Sequence, residues 1–361
     1  MMTFEKLLHG HDTVACAYYL HARDQRAKGI SFERLVAEKE ALRLAKARES
    51  KVVRMGDMEF LLQPYGTASG YPLVITNRDY RIEMGEFMSP SFFVTFTSEA
   101  LWREGAQALH DKFIAWAASL GFVPYRDESL SRVDFSFDYY LSAVDFDEDS
   151  VVSLSNKDSQ HRENGKIQTF TYGKSDIVMR LYDKVAEIEQ QSNKLWFFPM
   201  WGRDSDVWRI EWQVRKQALK RFGIVTFTDL HNQQGDLLRY LANQHETLRQ
   251  RSSDSNRSRW PLHPLWVDLQ ARVSEFNQQG IYRVVEEPAL LKEQLMRLTI
   301  SVQGYMKRIA AIRSLQQKKA APISLDETQR CLAVMVTKIH DPLTWRNDVE
   351  KRMNEIRLGK C

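Results

Sequence analysis

The order of apolar and polar positions divides the chain into a mixed part and a helical part. Residues 33–48 (ERLVAEKEALRLAKAR) read as a charged surface helix. From Met58 the period shortens. Segments 58–63 (MEFLLQ), 71–76 (YPLVIT) and 91–96 (SFFVTF) read as strands, with GTASG at 66–70 as a turn. Ser98 is placed to cap one helix that carries Trp102, Ala106, Leu109, Phe113, Trp116 and Leu120 at alternating steps of four and three, stopped by Gly121. Residues 130–139 (LSRVDFSFDY) alternate cleanly, and 167–172, 177–183 and 207–214 are further strands, with a helix-like stretch from Lys184. His9-Gly10-His11 shows no strand around it and is expected in a loop.

Beyond about residue 230 strand signals almost stop. Residues 235–250 read as helix, 251–264 as a polar break, and Pro288 opens a long helix. Its positions Leu291, Leu295, Leu298, Val302, Tyr305, Ile309 and Ile312 form a heptad seam, expected to pack within a local bundle or, in a second reading, across a homodimer. KKAAP (318–322) links to a last helix. No internal repeat is visible. The expected architecture is α+β: a central antiparallel sheet flanked by helices over residues 1–229 (core about 58–222), then a helical C-terminal domain over 230–361.

Charge adds a direction. Residues 1–230 carry 30 basic and 33 acidic side chains, whereas 231–361 carry 21 and 14. A basic C-terminal part suits a polyanion, by phosphate contacts whose affinity falls with salt. No apolar run is long enough to span a membrane, no apolar leader follows Met1, and Cys16, Cys331 and Cys361 form no CxxC, so a reducing, cytoplasmic setting is expected.

Three strands carry chemistry on one face. Side chains alternate along a strand. Val133, Phe135 and Phe137 face one way, and Arg132, Asp134, Ser136 and Asp138 the other. Met179 and Leu181 oppose Arg180, Tyr182 and Lys184. Trp208, Ile210, Trp212 and Val214 oppose Arg209, Glu211 and Gln213. A half-exposed sheet explains any one strand, but an Arg beside Asp, Tyr or Glu on all three suggests a joined site. Asp134 and Glu211 would then offer oxygen ligands to Mg²⁺ or Mn²⁺, and Tyr182 would lie among cations that favour its phenolate. Asp138, four residues from Asp134, lies too far along the strand to share that ion. Such a site suits transesterification, in which the phenol attacks a phosphodiester and rejoining needs no ATP.

The segments SRVDFSFD (131–138), YGKSDIVMRLYDK (172–184) and WRIEWQVRK (208–216) resemble, in this order and spacing, the replication initiation factor family: rolling-circle initiators of staphylococcal-type plasmids and some filamentous phages, with related mobile-element relaxases. The resemblance spans about residues 90–220. It implies a metal-dependent DNA nicking and joining enzyme in a bacterial host, with Tyr182 as nucleophile, Asp134 and Glu211 at the metal, and Arg180, Lys184 and Arg209 on phosphate. It also implies a Glu on the strand before the helix, and 91–96 has none. Arg132, Lys174, Arg209, Arg215 and Lys216 are the expected DNA contacts. Tyr172, before Gly173-Lys174-Ser175, is the alternative nucleophile. Gln168 stands where a P-loop needs Gly, so a host helicase is expected to unwind the DNA. Asp145, Asp147 and Asp149 lack the rest of a Ca²⁺ loop. Trp196 and Trp201 are candidates for stacking on bases. A conjugative relaxase and a DNA-binding regulator without nicking are the other readings.

Overall fold

The computed structural model describes residues 3–23, 30–45, 50–155, 157–163, 166–277, 287–318 and 321–357. Contacts divide the chain into two units, Met1–Arg283 and Val284–Cys361. The division falls some fifty residues beyond the expected boundary at 229/230, because the helices that follow residue 226 bury their apolar faces in the core of the first unit.

The strands are β1 (Phe4–Ala22), β2 (Lys51–Met55), β3 (Met58–Leu62), β4 (Leu73–Thr76), β5 (Tyr80–Met84), β6 (Phe92–Phe96), β7 (Phe122–Leu141), β8 (Val151–Ser153), β9 (Asp158–Glu163), β10 (Lys166–Tyr172), β11 (Ile177–Asp183), β12 (Val207–Arg215) and β13 (Glu246–Leu248). The helices are α1 (Phe32–Leu44), α2 (Ser98–Glu104), α3 (Ala106–Ser119), α4 (Lys184–Glu187), α5 (Phe197–Trp201), α6 (Lys216–Arg221), α7 (Phe227–Tyr240), α8 (Pro264–Ser274), α9 (Glu287–Gln316), α10 (Leu325–Ile339) and α11 (Pro342–Arg357). Among the described residues, eleven strands form one antiparallel sheet in the order β2-β3-β4-β5-β6-β1-β7-β12-β11-β10-β9.

The strands read from alternation are present, and their apolar sides (Val133, Phe135, Phe137, Met179, Leu181, Trp208, Ile210, Trp212) enter one core with α1, α3, α6, α7 and α8. Several expectations change. The helix expected over 235–250 starts earlier and gives way to β13 at Glu246–Leu248. His9-Gly10-His11 lies inside β1, a central strand whose second half is buried on both sides and therefore shows no alternation. The single helix after Ser98 is two, capped by Thr97 and broken at Gly105, whose φ of +84° no helix adopts. The last helix is also two, α10 and α11.

A repeat does exist in the topology. From β1 the chain leaves and returns through β5 and β6, with β6 beside β1 and helices α2 and α3 following. From β7 it leaves and returns through β11 and β12, with β12 beside β7 and α6 and α7 following. Val14 lies opposite Val133 where β1 crosses β7. Val14 also pairs with Phe96, and Val133 with Val214. Phe96 and Val214 each immediately precede a helix N-cap, Thr97 and Arg215. A pseudo-twofold axis therefore passes through the Val14–Val133 pair. The sequence hides it because matched positions differ: Asp134 corresponds to Ala15 and Glu211 to Phe93.

In the second unit, α9 and α10 pack together and Ser314 closes the link by accepting from Ile323 N at 3.0 Å. Much of the α9 seam is open among the described residues, with Leu295 66% and Tyr305 64% exposed, so the expected bundle does not cover it. Leu291 lies outside the residues whose side chains are described.

Candidate functional site

The polar face of β7, β12 and β11 is continuous, as the alternation requires. Asp134 is opposite Gln213, Ser136 opposite Glu211, and Asp138 opposite Arg209. Arg180 is opposite Glu211 and Tyr182 opposite Arg209. A cleft of about 430 Å³ opens on this face. Its walls include Tyr182, Glu211, Asp134, Arg132, Arg180 and Lys184, together with Asp12, Thr13, His161, Glu187 and Lys194.

Tyr182 donates its hydroxyl hydrogen to Glu211 Oε2 at 2.9 Å. Arg180 donates to Glu211 Oε1 at 3.1 Å and to Gln213 Oε1 at 3.2 Å. Arg132 clamps Asp134, with Nε 2.8 Å from Oδ1. Burial pushes the Asp134 carboxyl up to about 6, opposed by Arg132 and reinforced by the charge of Glu211. Burial and the Glu211 charge raise the Tyr182 phenol well above its usual range, against Arg209. The cations expected to favour a phenolate are engaged elsewhere. Arg180 serves Glu211, and Lys184, 1% exposed, serves Glu187 while lying 5.5 Å over the Tyr182 ring. Tyr182 is thus held as a neutral phenol aimed at a carboxylate.

Arg209 is not an open phosphate contact. It is fully buried, donating from Nε to Asp138 Oδ1 at 2.6 Å and from Nη1 to Asp12 Oδ1 at 2.8 Å. Trp201 adds a bond to Asp138 Oδ2 at 2.9 Å, which removes that tryptophan from base stacking. It belongs to a small second core with Val185, Ile188, Phe197 and Val207, and Trp196 stacks on Phe197 at 3.9 Å. Asp138 is accordingly an ion-pair partner and no cleft ligand. Tyr172 lies on the opposite face, in the main core, with its hydroxyl toward the Glu148 carbonyl. That position leaves it no route to a phosphodiester at the cleft. Lys174 is exposed in the β10–β11 turn, and Arg215 and Lys216 lie at the β12–α6 junction, all outside the cleft lining.

Asp12 is the acid that alternation missed. It sits where β1 and β7 shift register, between His11 and Thr13. Burial works against its charge, but Arg209 and Lys194 outweigh burial and keep the carboxyl below its usual range. Lys194 donates to its Oδ2 at 3.0 Å. His161 was missed because β9 is too polar to read as a strand.

Among the described residues no three His, Cys, Asp or Glu side chains form a cluster able to cage a metal. Asp12 is saturated by cations. Asp134 and Glu211, diagonal neighbours across β7 and β12, are less fully used: Asp134 accepts from Arg132 and Glu211 from Arg180 and Tyr182, and a carboxylate has about four acceptor sites. A hard divalent ion that keeps its waters and takes phosphate oxygens needs only one or two carboxylates, so these donors fit Mg²⁺ or Mn²⁺ in that mode.

Against known proteins, no family model matches this chain. No curated protein matches it either. Among solved structures, the rolling circle replication initiator protein from Geobacillus stearothermophilus aligns at 18% identity with a TM-score of 0.44, covering 76% of this chain and 98% of that one. Among the described residues no helix is long and apolar enough to cross a membrane.

Proposed function

We propose that the chain is a rolling-circle-type DNA replication initiator that nicks and rejoins one strand by tyrosine transesterification. The observation that carries this reading is the 2.9 Å bond from the Tyr182 hydroxyl to Glu211 in a cleft lined by both carboxylates and cations. Glu211 is within the distance a general base needs. In the forward step Tyr182 Oη bonds to phosphorus and the phosphorus–O3′ bond breaks. The phenol proton passes to Glu211, and the leaving oxygen takes up a proton from water to become a free 3′-OH, while Glu211 gives its proton back to solvent. The other end of the strand stays on Tyr182 as a 5′-phosphotyrosine. Reversal rejoins the strand with no ATP, because one phosphoester replaces another.

Asp134 and Glu211 would hold Mg²⁺ or Mn²⁺, which supplies charge neutralisation at the phosphate oxygens. A carboxylate has about four acceptor sites, and the bonds from Arg180 and Tyr182 use two of those on Glu211. Arg180 and Lys184 line the cleft where the phosphate would sit, and Lys174, Arg215 and Lys216 offer outlying phosphate contacts. Unwinding falls to a host helicase, and self-association to the open α9 seam.

The test uses supercoiled DNA of the same genetic element with Mn²⁺, followed by protease and gel. The expected product is open-circle DNA with protein on a 5′ end. Tyr182→Phe should abolish the adduct, a fall of at least about a thousandfold, while DNA affinity stays within about twofold. Adduct formed by Tyr182→Phe would refute the assignment. A wild-type chain that binds but never nicks would favour a regulator.

A further inference from the structure

The pseudo-twofold repeat places on the first half of the sheet a counterpart of the face that carries the cleft. The reactive groups are absent there. Asp134, Ser136 and Glu211 correspond to Ala15, Ala17 and Phe93, and Tyr182 corresponds to Gly85, the partner of Ser91 just beyond β5. In their place is a different surface. Arg81, Thr95, Ala15, Arg132 and Arg215 lie in register across five strands, a row of about 19 Å with an arginine at each end and one between; Arg81 and Arg132 are ion-paired with Glu83 and Asp134, and Arg215 is exposed. The row joins the cleft directly, since Arg132 belongs to both. The floor beside it is made of small, buried side chains, Ala15, Ala17 and Ser129, so only the larger groups around it reach solvent.

Aromatic rings stand around that floor. Tyr125 is 52% exposed and meets Tyr19 edge-on, and Arg126 lies 4.5 Å over the Tyr19 ring. Phe87, in the β5–β6 connection, is 94% exposed, and Ser89 of the same connection bonds the Tyr125 hydroxyl at 3.2 Å. Phe93 is half-buried on the floor. Glu83 is engaged by Arg81, and Asp134 by Arg132. Lys216 has Lys220 and Arg126 as like-charged neighbours; burial and these two cations lower its pKa. Exposed rings between guanidinium groups match single-stranded nucleic acid, whose bases stack on rings while its phosphates meet cations. Duplex hides its bases from such rings.

We propose that this face, from Phe87 and Tyr125 to Arg132, is a track for single-stranded DNA that leads into the Tyr182 cleft. The reading of the cleft as a nicking site defines what lies at the end of the track. Binding on the track does not depend on it.

The test measures fluorescence anisotropy of a labelled oligothymidylate of about 20 nucleotides, and of a duplex of equal length, with the full chain and no metal. The double variant Phe87→Ala/Tyr125→Ala should weaken oligothymidylate binding at least about tenfold and duplex binding less than about threefold. Because both side chains are exposed, its thermal unfolding should match wild type. Tyr125→Phe keeps the ring and should bind as wild type. Arg126→Ala should weaken binding and flatten its salt dependence. Unchanged oligothymidylate affinity in the double variant, or an equal loss on duplex, overturns the track. The nicking reading fails by a separate signal, absence of a Tyr182-dependent adduct, and leaves the anisotropy result to decide the track on its own.

Discussion

Arg209 shows why residue type alone misplaces a function. Its strand position marks it for the polar face, and it is there, but Asp138 and Asp12 neutralise it and the Trp201 cluster roofs it over. Alternation reports a face and is silent on what covers that face. His11 has a similar history. It sits in β1, pairs with Phe135 across the strands, and burial lowers its pKa to about 4, with a bond to Gln234 opposing. At pH 7 it is neutral whether folded or unfolded. Below about 6.5 the unfolded chain takes up a proton that the folded chain refuses until about 4, so stability falls through that window. Urea unfolding at pH 7 and pH 5 should show a loss of about 2 kcal/mol from this group. In His11→Phe that part of the loss should vanish.

At the scale of elements, the strands with one wet side were readable and those without were not. β7, β11 and β12 alternate because one face meets the core and the other the cleft. The pairing of these three then had to bring Tyr182, Glu211 and Asp134 to one side, as it does. β1 was missed because its inner half is buried on both faces, so nothing alternates. Gly173 closes the β10–β11 hairpin with φ +93°, and an added Cβ would stand 2.3 Å from the Ile177 carbonyl. Gly173→Ala should cost about 2 kcal/mol or more in urea unfolding. Gly105→Ala, also at positive φ but with nothing within 4 Å, should cost about 1 kcal/mol.

At the scale of the whole chain, the two units predict separable behaviour. A chain ending at Arg283 keeps every element of the sheet and its core. It should unfold in one cooperative transition, and adduct formation at Tyr182 should persist. The basic residues beyond it should be missed in a shallower salt dependence of DNA binding. Local pattern was enough to specify the α+β class, most strands of the second half and the side on which a phenol and two acids stand, because period-two burial is written into neighbouring residues. The folded arrangement alone settled the order of eleven strands, the pseudo-twofold pairing of β1 with β7, the arrival of Asp12 and Lys194 at the cleft and the neutral state of Tyr182. Those depend on contacts between residues up to about two hundred positions apart, and on burial, which no local pattern encodes.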